Sequence, residues 1–141
     1  MRPSAEEIRT LDGRRLTELA YRLGLAPAEV MAIWEDSTKE FRGCWYRNQH
    51  GEPLRLWDPA TDLAQADAVF RQLRARHLSC YIEYWGTTGN GKLTVYANHG
   101  GGRLLATQLW GPGVLESSEA LALVRCAVLA VVSEEAPHGQ S

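Results

Sequence analysis

Apolar positions recur at helical spacing in some stretches of the chain and alternate with polar ones in others. Over residues 4–24, Ile8, Leu11, Leu16, Leu19, Ala20 and Leu23 form an imperfect helical stripe, weakened at Gly13. Ser4 can cap this helix, Glu6 and Glu7 then stand near its positive end, and Gly24 stops it. Ala26 and Pro27 open a short second helix to about Trp34, because proline is tolerated in a first turn. After the start signal Asp58-Pro59-Ala60-Thr61-Asp62, the residues Leu63, Ala66, Val69, Phe70 and Leu73 recur at helical spacing to about His77. The last helix runs from Ser117 or Ser118 to about Glu135. Leu121, Val124, Ala127, Val128 and Val131 form its deepest stripe, and Ala122, Leu123, Leu129 and Val132 make the other side apolar too. A helix apolar nearly all round is buried on several sides or lies in an oligomer interface. The expected assembly is therefore a homo-oligomer, a two-fold dimer in its simplest form.

Alternation predicts three strands, at 81–85, 93–97 and 103–110. Asn90-Gly91 in the first link is a hairpin signal, and His99-Gly100-Gly101-Gly102 makes a second turn, so the three form an antiparallel meander. Residues 40–57 carry Phe41, Cys44, Trp45 and Tyr46, then a polar turn, then Leu54-Arg55-Leu56-Trp57; two short strands and an ordered loop both fit. Within 81–85, Ile82 and Tyr84 share one face while Tyr81, Glu83 and Trp85 share the other. Such a sheet is covered on both sides or carries a ligand groove. The expected fold is α+β, an antiparallel β-meander sandwiched between helices in α/β/α layers. It forms a single domain over residues 1–141, with a frayed tail at 136–141.

Composition narrows the function classes. With 45% hydrophobic and 23% charged residues in 141, one folded domain is expected. A net charge of -2 gives no general attraction to a DNA or RNA polymer or to anionic lipid. The apolar run 120–132 is too short to span a bilayer and contains Arg125, so no membrane partner is expected. Cys44, Cys80 and Cys126 are widely spaced, and no apolar leader precedes them, which points to reduced thiols in a cytoplasm.

Catalytic patterns are incomplete. Gly86-Thr87-Thr88-Gly89-Asn90-Gly91-Lys92 matches the start of a phosphate-binding P-loop, but Leu93 stands where magnesium needs a hydroxyl, and the next segment alternates like a strand. His99-Gly100-Gly101-Gly102 is similar to an esterase oxyanion loop, without the companion GxSxG elbow. His50, His77, His99 and His138 are scattered singly. No catalytic residue, metal ligand or cofactor is assigned.

The aromatic residues carry the functional signal. Trp45, Tyr46, Trp57, Tyr81, Tyr84, Trp85, Tyr96 and Trp110 lie in the predicted β region, interleaved with Arg47, Arg55, Lys92 and Arg103. Aromatic faces stack on bases and guanidinium groups hold phosphates; sheet core is the other normal use of such rings. The candidate ligand-binding set is Trp45, Tyr46, Arg47, Tyr84, Trp85, Lys92 and Arg103, with Trp85 and Arg103 as the leading pair.

Three segments carry a family resemblance: Asp12-Gly13-Arg14-Arg15-Leu16-Thr17-Glu18-Leu19-Ala20, Trp57-Asp58-Pro59-Ala60-Thr61-Asp62-Leu63-Ala64-Gln65-Ala66, and Glu119-Ala120-Leu121-Ala122-Leu123-Val124-Arg125-Cys126-Ala127-Val128-Leu129-Ala130. In this order and spacing they resemble the phage ABA sandwich domain family, small proteins of bacteriophages and prophages. The chain departs at Ala60, where that family usually has serine, and in the order Arg125-Cys126. The resemblance implies a sheet between helices and a viral origin, and it implies no reaction. Small phage proteins of similar size bind cyclic nucleotides or ADP-ribose derivatives made by bacterial immunity. By that analogy the expected function is sequestration of a nucleotide-derived immune signal in the cytoplasm of the bacterial host cell. The alternatives are a protein-interaction module and a phosphodiesterase that cleaves the signal.

Overall fold

Asp12 divides the first helical stripe in two. Ser4 and Glu7 form a capping box that starts α1 (Ala5–Ile8); the Asp12 carboxylate then accepts the Arg15 N–H and starts α2 (Gly13–Arg22). The apolar stripe survives the break, since Ile8, Leu16, Ala20 and Leu23 are all buried. This computed structural model describes residues 3–85, 89–97, 102–112 and 118–135.

The helix expected after Pro27 is instead a strand, β1 (Val30–Trp34). Pro27 closes a turn, its carbonyl accepting the Val30 N–H at 3.1 Å. Pairing then overrides the local start signal: β1 lies antiparallel to β2 (Phe41–Arg47), with Val30 opposite Tyr46 and Ala32 opposite Cys44. β2 pairs in turn with β3 (Pro53–Trp57), so residues 40–57 form two strands.

Asp62 caps α3 (Leu63–Arg71) by accepting the Gln65 N–H. The helix tightens into a 3-10 turn, Gln72–Arg76, and stops at His77, whose φ of 61° is left-handed. The meander follows as β4 (Leu78–Trp85), β5 (Asn90–Ala97) and β6 (Leu104–Trp110), paired in that order. Asn90 and Gly91 belong to β5, opposite Trp85 and Tyr84, and are paired strand residues. The expectations at residues 86–88, at 98–101, at Ser117 and for the tail at 136–141 lie outside the described residues.

α4 (Glu119–Glu135) begins where the Ser118 hydroxyl accepts the Leu121 N–H at 3.2 Å. One side of α4 packs on β5 and β6, and α1, α2 and α3 cover other sides; α2 packs in turn on β2. The fold is α+β with two antiparallel three-stranded sheets. β2 packs on α2, α2 on α4, and α4 on β5 and β6, so helices lie between the two sheets. α4 is apolar on nearly all sides, and the other helices cover those that the meander does not. Ala122 to Val131 are buried within one chain, which removes the argument that the helix needs a second copy. Arg125, also buried, donates from Nη1 to the Ile8 carbonyl at 2.6 Å and ties α1 to the core. Among the described residues, no helix is long and apolar enough to cross a membrane.

Candidate functional site

With α4 on one face of the meander, the opposite face is open. The register lines up Tyr81 with Thr94 and Thr107, Glu83 with Lys92 and Leu109, Ser79 with Tyr96 and Leu104, and Trp85 with Asn90. Alternation puts all of these side chains on the open face. Tyr81 is 55%, Leu104 54%, Trp85 45% and Leu109 41% exposed, unusually high for large apolar groups in a sheet. Tyr81, Ile82, Glu83, Lys92, Thr94 and Tyr96 line a shallow groove of about 410 Å³. Tyr81 and Tyr96 meet edge to face, with ring centroids 5.9 Å apart. The groove offers aromatic rings, one ammonium, one carboxylate and hydroxyl groups.

The seven residues expected to bind a ligand do not converge on this groove. Lys92 lines it, and Trp85 stands on the same face beside it. Tyr84 points to the helix side: its hydroxyl donates to Glu119 Oε1 at 2.8 Å and its ring packs edge-on against Trp110, centroids 5.7 Å apart. That hydrogen bond, with some burial, pushes the Tyr84 hydroxyl above its ordinary pKa. Arg103 is exposed just before β6, where its carbonyl accepts the Ala97 N–H at 2.8 Å. Trp85 and Arg103 therefore sit at opposite ends of β5, roughly 20 Å apart along the strand. They do not share a site.

Trp45, Tyr46 and Arg47 belong to the other sheet. The Trp45 ring lies over Gly43, where a Cβ would meet it at 3.0 Å. Tyr46 takes the Arg55 guanidinium over its ring at 4.5 Å. Arg47 is exposed at the end of β2, beside Asn48 and Gln49. Trp57 and Trp110 are core residues. The site residues that the sequence reading left out are Tyr81 and Tyr96. Alternation already places Tyr81 beside Trp85, but the register that brings Tyr96 next to Tyr81 is set by pairing.

Lys92 lies within a strand and no helix follows it, so the 86–92 motif lacks the helix N-terminus that a P-loop requires. Among the described residues no three His, Cys, Asp or Glu side chains gather as a metal site. Burial pushes the Cys44 thiol up to about 12 and the Cys126 thiol also upward, so both stay protonated at neutral pH. Burial raises Cys80 as well, with Arg74 opposing the shift. No protein-family model, curated protein or solved structure matches the chain.

Proposed function

We propose that the chain is a binding protein that sequesters a nucleotide-derived small molecule on the open face of its meander. The observation that carries this reading is the pair of exposed rings Tyr81 and Trp85, with the half-buried ring of Tyr96, on the same face as Lys92. Stacking a base on an aromatic ring contributes about 1–3 kcal/mol and tolerates any base. An ammonium among such rings gives a phosphate its counter-charge. A groove of about 410 Å³ falls within the size range of small-ligand sites. Cyclic oligonucleotides and ADP-ribose derivatives carry both bases and phosphates, so they fit this chemistry. The resemblance to the phage ABA sandwich domain family supplies the setting: a phage or prophage product in the cytoplasm of a bacterial host, removing an immune signal. Sequestration needs tight binding and stoichiometric protein, and it requires no catalytic group.

The test is mass spectrometry of small molecules released by heat from protein purified out of cells running a nucleotide-based immune system. A sponge returns the intact nucleotide in near-stoichiometric amount. Cleaved product would indicate a phosphodiesterase, and no nucleotide at all would count against both. A second reading, a protein-interaction module, draws on Leu104 and Leu109, which stand exposed on the same face. Under that reading the face seats a protein, and a second copy of this chain would make the expected homo-oligomer.

A further inference from the structure

A second cleft, unrelated to the meander face, opens between the start of α2, strand β2 and the turn from β3 into α3. It measures about 290 Å³. Its apolar walls are Phe41, Cys44, Leu56 and Trp57, and its charged lining includes Arg14 and Asp58. Phe41, Cys44 and Trp57 are buried, and the Cys44 thiol stays protonated, so this wall behaves as hydrocarbon and not as a nucleophile.

The two charged groups are held in place. The buried side chain of Gln65 accepts the Asp58 N–H at 2.6 Å and donates to the Leu56 carbonyl at 3.4 Å, which fixes the turn. Asp58 Oδ2 accepts the Thr61 hydroxyl at 2.7 Å, and among the described residues its other oxygen accepts no hydrogen bond. Gly13 lets this turn come close to α2, since a Cβ there would stand 2.9 Å from the Ala60 Cβ. Across the cleft, Arg14 donates from Nη2 to the Phe41 carbonyl. A guanidinium has five N–H donors, so most of those on Arg14 remain for a ligand. Arg42, also in the lining, is engaged by Glu35 at 2.8 Å. Arg14 and Asp58 are not ion-paired with each other.

One cation and one carboxylate, each spared neutralisation by the other, stand over an apolar floor. We infer that the cleft binds a small apolar zwitterion of the α-amino-acid class. The ligand carboxylate meets Arg14, its ammonium meets Asp58, and its side chain rests on Leu56, the exposed apolar side chain of the lining, with buried Phe41 and Trp57 behind it. Arginine suits the carboxylate because its planar fork matches two oxygens at once.

Three probes separate the two charges: L-phenylalanine, phenylacetate, which lacks the ammonium, and phenethylamine, which lacks the carboxylate. Binding is read by calorimetry and by the shift of the Trp57 indole N–H resonance. Wild-type protein binds L-phenylalanine roughly tenfold or more tightly than either analogue. Arg14→Gln loses roughly that factor for L-phenylalanine and phenylacetate and leaves phenethylamine unchanged. Asp58→Asn weakens L-phenylalanine and phenethylamine and spares phenylacetate. Arg14→Lys, which keeps the charge without the fork, loses less than Arg14→Gln and serves in its place if that variant does not fold. The inference is overturned if folded wild-type protein binds none of the three at millimolar concentration. It is overturned equally if the variants weaken all three probes alike, which is what a purely structural role would give.

Discussion

Replacing Gly91 by alanine drives a methyl group into the ring of Trp110. Gly91 lies in the middle strand of the meander, between Tyr84 on one side and Trp110 on the other. A Cβ at this position would stand 2.1 Å from two carbons of the Trp110 ring and 2.7 Å from the Glu83 carbonyl oxygen. Carbon atoms pack at about 3.5–4.0 Å, so the ring would have to retreat by roughly 1.5 Å. It has little room, being 4% exposed and bounded by Tyr84 edge-on. Alanine recovers up to about 1 kcal/mol by restricting the unfolded chain. Overpacking costs about 1–3 kcal/mol, and contact with backbone oxygen places this case at the upper end. The net loss is about 2 kcal/mol, which lowers Tm by roughly 7 °C in a chain of this size. Thermal unfolding followed by circular dichroism measures it. In a Trp110→Leu background, where the ring is gone, Gly91→Ala should cost much less. A Tm within about 1 °C of wild type, or the same cost in both backgrounds, would refute the packing argument.

The remaining predictions concern the core and the thiols. Val128 is fully buried in α4, so Val128→Asp places an unpaired charge there at a cost of several kcal/mol, comparable with the whole stability of a small domain. The expected product is unfolded or insoluble, and a soluble variant with an unchanged melting curve would remove α4 from the core. Cys80 is half-buried while Cys44 and Cys126 are buried and pushed further toward the thiol form, so iodoacetamide on native protein should label Cys80 first, as read by peptide mapping. Equal labelling of all three would contradict the burial described. Because Cys44 is raised in the folded state, its stabilising contribution is present below its ordinary value of 9.0 and is lost as pH rises towards about 12. Melting temperature should therefore fall above pH 9.0, and fall less steeply in Cys44→Ala.

The meander and the last helix were legible in the sequence because their signals are local. Alternation at β5 and the stripe through Leu121, Val124 and Val128 need no knowledge of distant residues. The helix expected at 26–34 failed for the opposite reason: Pro27 is a genuine local start signal, but β1 exists through pairing with β2. Asn90-Gly91 reads as a turn in isolation, whereas Gly91 is required inside the strand by a ring arriving from β6. The same limit shaped the candidate site. Alternation grouped Tyr81, Glu83 and Trp85 on one face, yet which face the helices cover depends on where α4 docks. Trp85 and Arg103 were paired because both flank strands, and the register separates them by the length of β5. Arg14 and Asp58 line one cleft because Gly13 lets a distant turn approach α2.

The most direct test of the binding-face reading is calorimetric titration of wild-type, Trp85→Ala and Lys92→Ala proteins with a panel of cyclic dinucleotides, cyclic trinucleotides and cyclic ADP-ribose isomers. At least one ligand should bind the wild type. Trp85→Ala should weaken it by about 1–3 kcal/mol through lost stacking. Lys92→Ala should weaken it by about 1.5–3 kcal/mol through a lost charge-assisted hydrogen bond. Both variants should keep the wild-type melting curve, because both side chains stand on the open face. No heat from any member of the panel with folded wild-type protein, or binding that neither substitution changes, would contradict the proposal.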